Sequence, residues 1–346
     1  MPFTELDAWL RARADADQFS GVVLVRSGDA TVFSGAYGWA SRRWPVPLAL
    51  DMRFDTASIT KLFTSVAAFQ LVDQGLLTLD RPIAEVVDLA GTAISPSVTV
   101  RQFLTHTSGI ADDADEEAGE SYEALWVDKP VYSVFRTRDL LPNFVHRPPN
   151  FAPGQGCRYC NSGYVLVGLA IEEVTGSAYR DHIRSVVFDR AGMTSSDFFD
   201  RREAAPNVAE GWDPVVVSGQ VTGWKQNIYS YPSIGSPDGG AHCTADDLVK
   251  FLRALRGGDL MSAAGTELFL TPQVHHDGST WYGFGLEFTL DDAGAVRDYH
   301  KDGGNAGVGT IARHYPGVGL DVVVLSNAEV GSLAVSREID RLISRP

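Results

Sequence analysis

The chain has 346 residues, of which 44% are hydrophobic and 21% charged, which is typical of a globular protein with a sizeable core. Its formal net charge of −15 disfavours nucleic acid and anionic membrane as partners, because both are themselves negatively charged. No apolar run approaches the length of a membrane span, and the first residues lack the features of a signal peptide, so we expect a cytoplasmic protein with no membrane partner.

The first part of the chain is predicted to contain a helix, a β-hairpin and a second helix. Residues 4–15 carry an apolar stripe at helical spacing, with Thr4 as the expected N-cap. The segments 21–26 and 31–37 are strand-like and are joined by a turn rich in Ser, Gly and Asp. Residues 54–75 repeat apolar side chains at helical spacing and end at a glycine, a common helix stop.

The second helix opens with Ser58 and Lys61, an S-x-x-K tetrad. Residues three apart share a helix face, so the Lys61 ammonium can reach the Ser58 hydroxyl. Ser58 would lie in the first turn, where unpaired N–H groups and the positive dipole end favour a developing oxyanion. A hydroxyl needs a neighbouring base to become a nucleophile, and a lysine in a semi-dry site can be that base or assist it. The tetrad also occurs by chance, so it does not identify a catalytic serine by itself.

The middle of the chain is predicted to be mainly helical, with one acidic stretch. A capping box over residues 99–102 opens a short helix. Residues 111–123 carry seven carboxylates in thirteen positions, and we expect the segment 110–150 to be a solvated insertion or a lid over the helical part. Asn161 or Ser162 is the expected N-cap of a further helix.

The last third is rich in strand patterns and ends in an amphipathic helix from about Ser332. The predicted strands are 281–290, 295–300, 308–315 and 320–325. Sequential strands this close together indicate antiparallel pairing instead of crossovers through helices.

These elements predict an α/β (α+β) fold in two domains. One antiparallel sheet, flanked by helices, would take strands from both ends of the chain and form an α/β domain from residues 1–79 and 241–346. An all-helical domain, residues 80–240, would be inserted into it and would contain the acidic segment 110–150.

Five stretches, in this order, resemble motifs of the serine β-lactamase and penicillin-binding protein superfamily. The branch is the one that holds class C β-lactamases, DD-carboxypeptidases, D-aminopeptidases and related esterases. Each motif is weak alone, but five in the family's order are specific, and the resemblance covers roughly residues 20–330. It implies an antiparallel sheet flanked by helices plus an all-helical domain, in agreement with the strand count. The stretches are Ser58-Ile-Thr-Lys61, Leu104-Thr-His-Thr-Ser-Gly109, Phe151-Ala-Pro-Gly154, Tyr159-Cys-Asn161 and Lys301-Asp-Gly303-Gly304.

The resemblance implies the catalytic roles. Ser58 would be the acylated nucleophile and Lys61 its proton partner. Tyr159 would act as base during acylation, as tyrosinate or in concert with the lysine. A phenol has a pKa near 10 in water, so this role needs nearby cations, for which Lys61 and Lys301 are the candidates. Asn161 would bind a substrate amide or orient Lys61, unless it serves only as the N-cap of its helix.

The same resemblance implies a substrate-binding set of Asn161, Lys301, Asp302 and Gly303. The backbone N–H groups of Ser58 and Gly304 would form the oxyanion hole. The family usually has Thr or Ser where this chain has Asp302. If Asp302 faces the site, it repels a substrate carboxylate and favours a neutral or amine-bearing ester or amide; if it is turned away, it is only a surface charge.

Other residues are weaker candidates for a catalytic or metal-binding role. His106 lies in a helix-ending turn and is predicted to be structural, and His300 is expected on the sheet face opposite Lys301. Three cysteines are too few for a disulfide framework. A metal site built on Cys157, Cys160 and Cys243 would need a fourth ligand and would tie up the loop that presents Tyr159. We therefore predict no metal and no cofactor.

The sequence thus predicts a serine hydrolase that forms an acyl-enzyme with ester or amide substrates, of the esterase or D-amino acid amidase and peptidase type. The alternative within this chemistry is a β-lactamase or D-Ala-D-Ala carboxypeptidase. An alternative of another class is a non-catalytic, penicillin-binding-like sensor or binding module. The expected partner is a small-molecule or short-peptide acyl substrate, and the sequence does not determine the oligomeric state.

Overall fold

The computed structural model describes residue 3 and residues 5–344, so Thr4, the expected N-cap of the first helix, lies outside the described residues. The helices in this part of the chain are α1 Leu6–Asp15, α2 Thr60–Asp73, α3 Val100–Leu104, α4 Asn161–Thr175, α5 Tyr179–Ile183, α6 Asp189–Ala191, α7 Ala245–Gly257, α8 Ala263–Phe269 and α9 Ser332–Ile343. The strands are β1 Gly21–Ser27, β2 Ala30–Tyr37, β3 Trp39–Ser41, β4 Val46–Pro47, β5 Phe54–Asp55, β6 Trp212–Val217, β7 Gln220–Gln226, β8 His242–Cys243, β9 Val274–Asp277, β10 Thr280–Tyr282, β11 Glu287–Leu290, β12 Val296–Asn305, β13 Val308–Tyr315 and β14 Leu320–Ser326.

Eight of these strands form one antiparallel sheet in the order β2-β1-β14-β13-β12-β11-β10-β9. The N-terminal hairpin therefore lies beside the last strand of the chain, and the predicted fold class is confirmed. The strand predicted over 281–290 is wrong in detail, because it is broken into β10 and β11, and β9 was not predicted. Strand β12 runs past the predicted end at His300, so the motif that begins at Lys301 lies within the sheet.

Both faces of the central sheet are buried. In β1, Val22 and Leu24 pack into the main core with α2, α4 and α7, whereas Val23 and Val25 pack with α1 and α9. Successive side chains of a strand point to opposite faces, so a strand covered on both sides reads as a continuous apolar run. Helix α2 is buried along nearly its whole length, and the helix that follows Ser58 is therefore a rigid central element of the molecule.

The segment between residues 80 and 240 holds α3 to α6, several short 3₁₀ turns and the β6–β7 hairpin. The expectation that 110–150 is solvated is wrong for its first part, since residues 110–115 are buried, and Trp126 and Leu140 join the main core. The prediction that residues 80–240 are all-helical is therefore wrong at the hairpin, and the proposed division into domains at residues 79 and 240 stays a prediction. None of the helices in the described ranges has the length and apolar character needed to cross a bilayer.

Candidate active site

Ser58 lies in a single 3₁₀ turn, Ala57–Ile59, that leads directly into α2. The preceding Ala57 has a φ of +42°, an uncommon conformation for a residue with a side chain. It is held by two hydrogen bonds, from its own N–H to Asp55 Oδ1 at 2.8 Å and from Gly240 N–H to its carbonyl at 3.3 Å. Ser58 is thereby presented at the boundary of two adjoining cavities of about 410 and 350 Å³.

Two side chains converge on the Ser58 hydroxyl. Lys61 Nζ lies 2.9 Å from Ser58 Oγ, as the i, i+3 spacing predicts, and the Tyr159 hydroxyl lies 2.8 Å from the same atom. Lys61 Nζ also donates to Asn161 Oδ1 at 2.7 Å and to the backbone carbonyl of Asp238 at 2.6 Å. The predicted residues Ser58, Lys61, Tyr159 and Asn161 therefore form one connected hydrogen-bond network.

Lys61 is fully buried, and this burial lowers the pKa of its ammonium to about 8. Asp238 opposes the shift by attraction, whereas the like charge of Lys301 adds to it. The pKa of this amine is therefore closer to neutral pH than that of an exposed lysine.

The pKa of Tyr159 moves in the opposite direction to the one expected from its neighbours. Its crowded, poorly hydrated position raises the pKa well above 10, and the attraction of Lys301 offsets only part of that rise. Lys301 Nζ lies 4.8 Å from the centre of the Tyr159 ring. The tyrosine is thus a neutral phenol at neutral pH, and its O–H can donate to Ser58 Oγ.

Lys301 is almost fully buried and forms an ion pair with Glu287, at 2.5 Å between Nζ and Oε1. Burial alone would lower the pKa of Lys301, but the attraction of Glu287 and other groups outweighs it and raises that pKa well above its usual value. Sequence analysis did not identify Glu287, because the contact is made across neighbouring strands β11 and β12 and has no local signature.

Asn161 is not the N-cap of α4. The cap is Cys160, whose side chain makes no capping bond, and Asn161 is the first helical residue. The carboxylate of Asp112 caps the helix instead, accepting the N–H of Asn161 and of Ser162, each at 2.8 Å. Asp112 also accepts from Asn161 Nδ2 at 3.1 Å, which leaves Asn161 Oδ1 directed at Lys61. Asp112 was likewise missed from the sequence, since it lies 49 residues from the helix that it caps.

The strand segment after Lys301 lies against the Ser58 turn. A Cβ on Gly303 would lie 2.3 Å from the carbonyl oxygen of Thr56, so only glycine allows this approach. Gly303 is buried and serves this packing, while the exposed Gly304 lines both cavities together with Ser58. The Asp302 side chain is 61% exposed, lines the smaller cavity and brings Oδ1 to 3.6 Å from Lys301 Nζ.

The smaller cavity is strongly acidic. Its lining includes the carboxylates of Glu116, Glu117, Glu287 and Asp302, and the ammonium of Lys301 is already paired with Glu287. Glu116 also lines the larger cavity and accepts a hydrogen bond from Asn161 Nδ2 at 3.0 Å. The acidic segment of the sequence therefore contributes carboxylates to the site itself.

The three cysteines are free, and two of them, Cys160 and Cys243, are buried. No group of three or more His, Cys, Asp or Glu side chains within residues 5–344 is arranged to hold a metal ion. His300 Nδ1 lies 2.9 Å from Asp298 Oδ1, and its Nε2 lies 3.8 Å from Glu287 Oε2, so this imidazole and Lys301 are both near Glu287.

Comparison with known proteins identifies the family of this chain. The family described as Beta-lactamase matches residues 6–343. Penicillin-binding protein 4 of Amycolatopsis lactamdurans is 29% identical over 338 residues, spanning 90% of this chain and 82% of that protein. Esterase EstB of Burkholderia gladioli is 28% identical over 281 residues, spanning 72% and 71%. The solved structure of a penicillin binding protein from Bacillus halodurans superposes with a TM-score of 0.90 at 36% identity, covering 99% of this chain and all of that one. Because the family match spans nearly the whole chain, the protein belongs to the Beta-lactamase family and is a serine hydrolase of that family.

Proposed function

We propose that the protein hydrolyses esters or amides through an acyl-enzyme formed on Ser58, with Lys61 as the base and Tyr159 as the acid. The observation that carries the proposal is the convergence of Lys61 Nζ and the Tyr159 hydroxyl on Ser58 Oγ, at 2.9 and 2.8 Å. A nucleophile within hydrogen-bond reach of its base, with that base oriented by further groups, is the general pattern of covalent catalysis.

The partners of Lys61 explain how it can accept a proton from Ser58. Asn161 Oδ1 and the carbonyl of Asp238 can only accept hydrogen bonds, so they hold two N–H groups of the neutral amine. The lone pair of that amine then points at the third partner, Ser58 Oγ. With the pKa of Lys61 near 8, about a tenth of the molecules carry this neutral form at pH 7.

Tyr159 acts as a neutral phenol in this proposal. Its raised pKa disfavours the tyrosinate alternative and favours action in concert with Lys61. The phenol O–H donates to Ser58 Oγ in the resting site and is available to the leaving group once the acyl bond has formed.

The substrate carbonyl oxygen would be held by the backbone N–H groups of Ser58 and Gly304. Ser58 is in the first turn before α2, and Gly304 lines the same two cavities. Donors fixed in this way stabilise the charge that develops on a tetrahedral intermediate. The left-handed Ala57 and the glycine at position 303 allow the Ser58 turn and strand β12 to pack closely against each other.

The reaction balances in two steps. In acylation the bond between Ser58 Oγ and the carbonyl carbon forms, and the Ser58 proton passes to Lys61. The bond to the leaving group then breaks as Tyr159 gives it a proton, and Tyr159 regains one from Lys61. In deacylation a water molecule attacks the acyl carbon and gives a proton to Lys61. The bond between Ser58 Oγ and the acyl carbon then breaks, the carboxylic acid product leaves, and Lys61 returns the proton to Ser58 Oγ.

We further propose that the preferred substrates are neutral or amine-bearing near the scissile bond. The carboxylates of Asp302, Glu116 and Glu117 would repel a substrate carboxylate and attract an ammonium group, to an extent that solvent screening limits because all three residues are exposed. Arg158 lies 4.0 Å from Glu117 and Lys301 lies 3.6 Å from Asp302, which offsets part of their charge, whereas Glu116 forms no ion pair with any described residue. Similarity to an esterase supports this class.

A β-lactamase or D-Ala-D-Ala carboxypeptidase is the second candidate, supported by the buried cation Lys301 and by the similarity to penicillin-binding proteins. It is disfavoured by the pairing of that cation with Glu287 and by Asp302 beside it. A non-catalytic binding module is disfavoured by the intact network around Ser58.

A phosphonate probe followed by peptide mass spectrometry tests the nucleophile. We expect one adduct per chain at Ser58, and Ser58→Ala should abolish both labelling and hydrolysis. Rates with a p-nitrophenyl ester, a D-amino acid anilide and a chromogenic cephalosporin then rank the substrate classes. An adduct at another residue, together with an active Ser58→Ala variant, would exclude the mechanism, and a preference for the cephalosporin would exclude the substrate assignment.

A further inference from the structure

His106 is buried beneath Tyr159 and has an unusual backbone conformation. Its φ is +59°, in the left-handed region, and its side chain is 2% exposed. It lies in the turn after α3, and this turn is tied to the loop that carries Tyr159. Gly154 N–H donates to the Thr107 carbonyl at 2.8 Å, and Asn150 N–H donates to the Gly109 carbonyl at 2.8 Å. The left-handed conformation costs energy for a residue with a side chain, so other contacts must hold it.

The backbone on both sides of Tyr159 is bonded to this one histidine. Arg158 N–H donates to the His106 carbonyl at 2.9 Å, and Cys160 N–H donates to His106 Nδ1 at 3.1 Å. The N–H of Tyr159 itself donates to Glu117 Oε1 at 2.9 Å. Three successive backbone N–H groups are therefore fixed, two of them by His106.

The imidazole ring also packs against the phenol. The ring centres of His106 and Tyr159 are 4.6 Å apart, and Tyr164 and Tyr282 enclose the imidazole at 5.4 and 4.9 Å. Burial, followed by the like charges of Lys301 and Lys61, lowers the pKa of His106 well below its usual value. The ring is thus neutral, with Nδ1 free to accept from Cys160 and its proton on Nε2.

We infer that His106 is a positioning residue that holds the Tyr159 hydroxyl at hydrogen-bond distance from Ser58. It contacts the loop at the residues before and after Tyr159 and the ring of Tyr159 itself, and it is not among the residues that line the two cavities. The inference rests on the proposed function, because it acts through the catalytic role proposed for Tyr159. Sequence analysis assigned His106 a structural role, and its contacts extend that role to the orientation of a catalytic group.

Two substitutions separate the contributions of His106. His106→Asn tolerates the left-handed backbone and retains an acceptor oxygen at the place of Nδ1, but it loses the ring. His106→Phe retains a ring but loses the acceptor. A displacement of about 1 Å in a catalytic group can cost about 10²-fold in rate. We expect kcat for a p-nitrophenyl ester to fall about 10- to 100-fold in His106→Phe and by less in His106→Asn, with KM unchanged in both.

A double-mutant cycle with Tyr159→Phe distinguishes positioning from general destabilisation. Without the Tyr159 hydroxyl there is nothing to position, so His106→Asn should cost almost no further kcat in that background. His314→Asn is the matched control: His314 is also a buried imidazole, bonded to Asp321 at 2.8 Å in β13, and its loss should lower the unfolding temperature without changing kcat.

Each outcome of the cycle has a distinct meaning. Equal losses of kcat from His106→Asn in both backgrounds, or wild-type kcat in every folded His106 variant, would overturn the positioning role alone. Wild-type kcat in Tyr159→Phe would overturn the proposed role of Tyr159 as well. If His106→Phe does not fold, the cycle with His106→Asn still decides the question.

Discussion

The pH dependence of kcat/KM tests whether Lys61 is the base. Substitutions in the nearby ion pair between Lys301 and Glu287 provide the perturbation. If Ser58 must give its proton to neutral Lys61, kcat/KM rises tenfold per pH unit below the pKa of Lys61 and levels off above about pH 8. Lys301→Met removes a like charge and should move this limb to higher pH. Glu287→Gln removes the charge that offsets Lys301 and should move it to lower pH.

The size of these shifts follows from the separation of the two lysines. Lys61 Nζ and Lys301 Nζ lie 5.1 and 4.8 Å from the centre of the Tyr159 ring, so the two nitrogens are no more than about 10 Å apart. Two unit charges at 10 Å interact by roughly 1.7 kcal/mol at an effective dielectric constant of 20, slightly more than one pKa unit. Because 10 Å is the largest separation that these distances allow, we expect Lys301→Met to shift the limb by about one pH unit or more, and Glu287→Gln to shift it in the opposite direction.

The assay is kcat/KM for a p-nitrophenyl ester between pH 6 and 9.5 in the wild type and the two variants. Lys301→Met also removes a proposed substrate contact, which can change the height of the plateau. The comparison between variants therefore uses only the midpoint of the limb. A flat profile in the wild type would remove Lys61 as the titrating base. Shifts of the same sign in both variants would refute the electrostatic reasoning.

Three further predictions concern single side chains. Tyr159→Phe should keep the fold and KM but lose roughly 10²- to 10⁴-fold in kcat, the usual contribution of general acid–base catalysis; near-normal turnover would leave Lys61 as the sole proton carrier. Asp302→Thr should move the ratio of kcat/KM values for a chromogenic cephalosporin and a p-nitrophenyl ester towards the cephalosporin, and an unchanged ratio would show that this carboxylate does not act on the substrate. Gly303→Ala should lower both the unfolding temperature and turnover, because the new Cβ would meet the Thr56 carbonyl. Gly304→Ala has open space at its Cβ and should keep the wild-type unfolding temperature. Equal unfolding temperatures in the two variants would contradict the packing argument.

The sequence by itself determined the features that depend on local geometry. The spacing of Ser58 and Lys61 places both on one helical turn whatever the rest of the chain does, and the 2.9 Å contact follows from it. The capping box at Thr99 and the glycine stop after α2, at Gly75, were predicted for the same reason. Strand β13 also has the predicted bounds. The order of the five motifs was enough to predict the family and the antiparallel sheet, but it did not fix which atoms meet.

Only the tertiary structure decided the environment of those residues. Tyr159 reaches Ser58 across 101 residues of chain, and Asp112 caps a helix 49 residues away. The pKa of Tyr159 shows why such features escape a reading of the sequence. Neighbouring cations can be named from motifs and predict a lowered pKa, but the loss of hydration depends on everything that packs around the phenol and outweighs them. Contacts made by spacing along one element are encoded locally, whereas burial is a property of the whole fold.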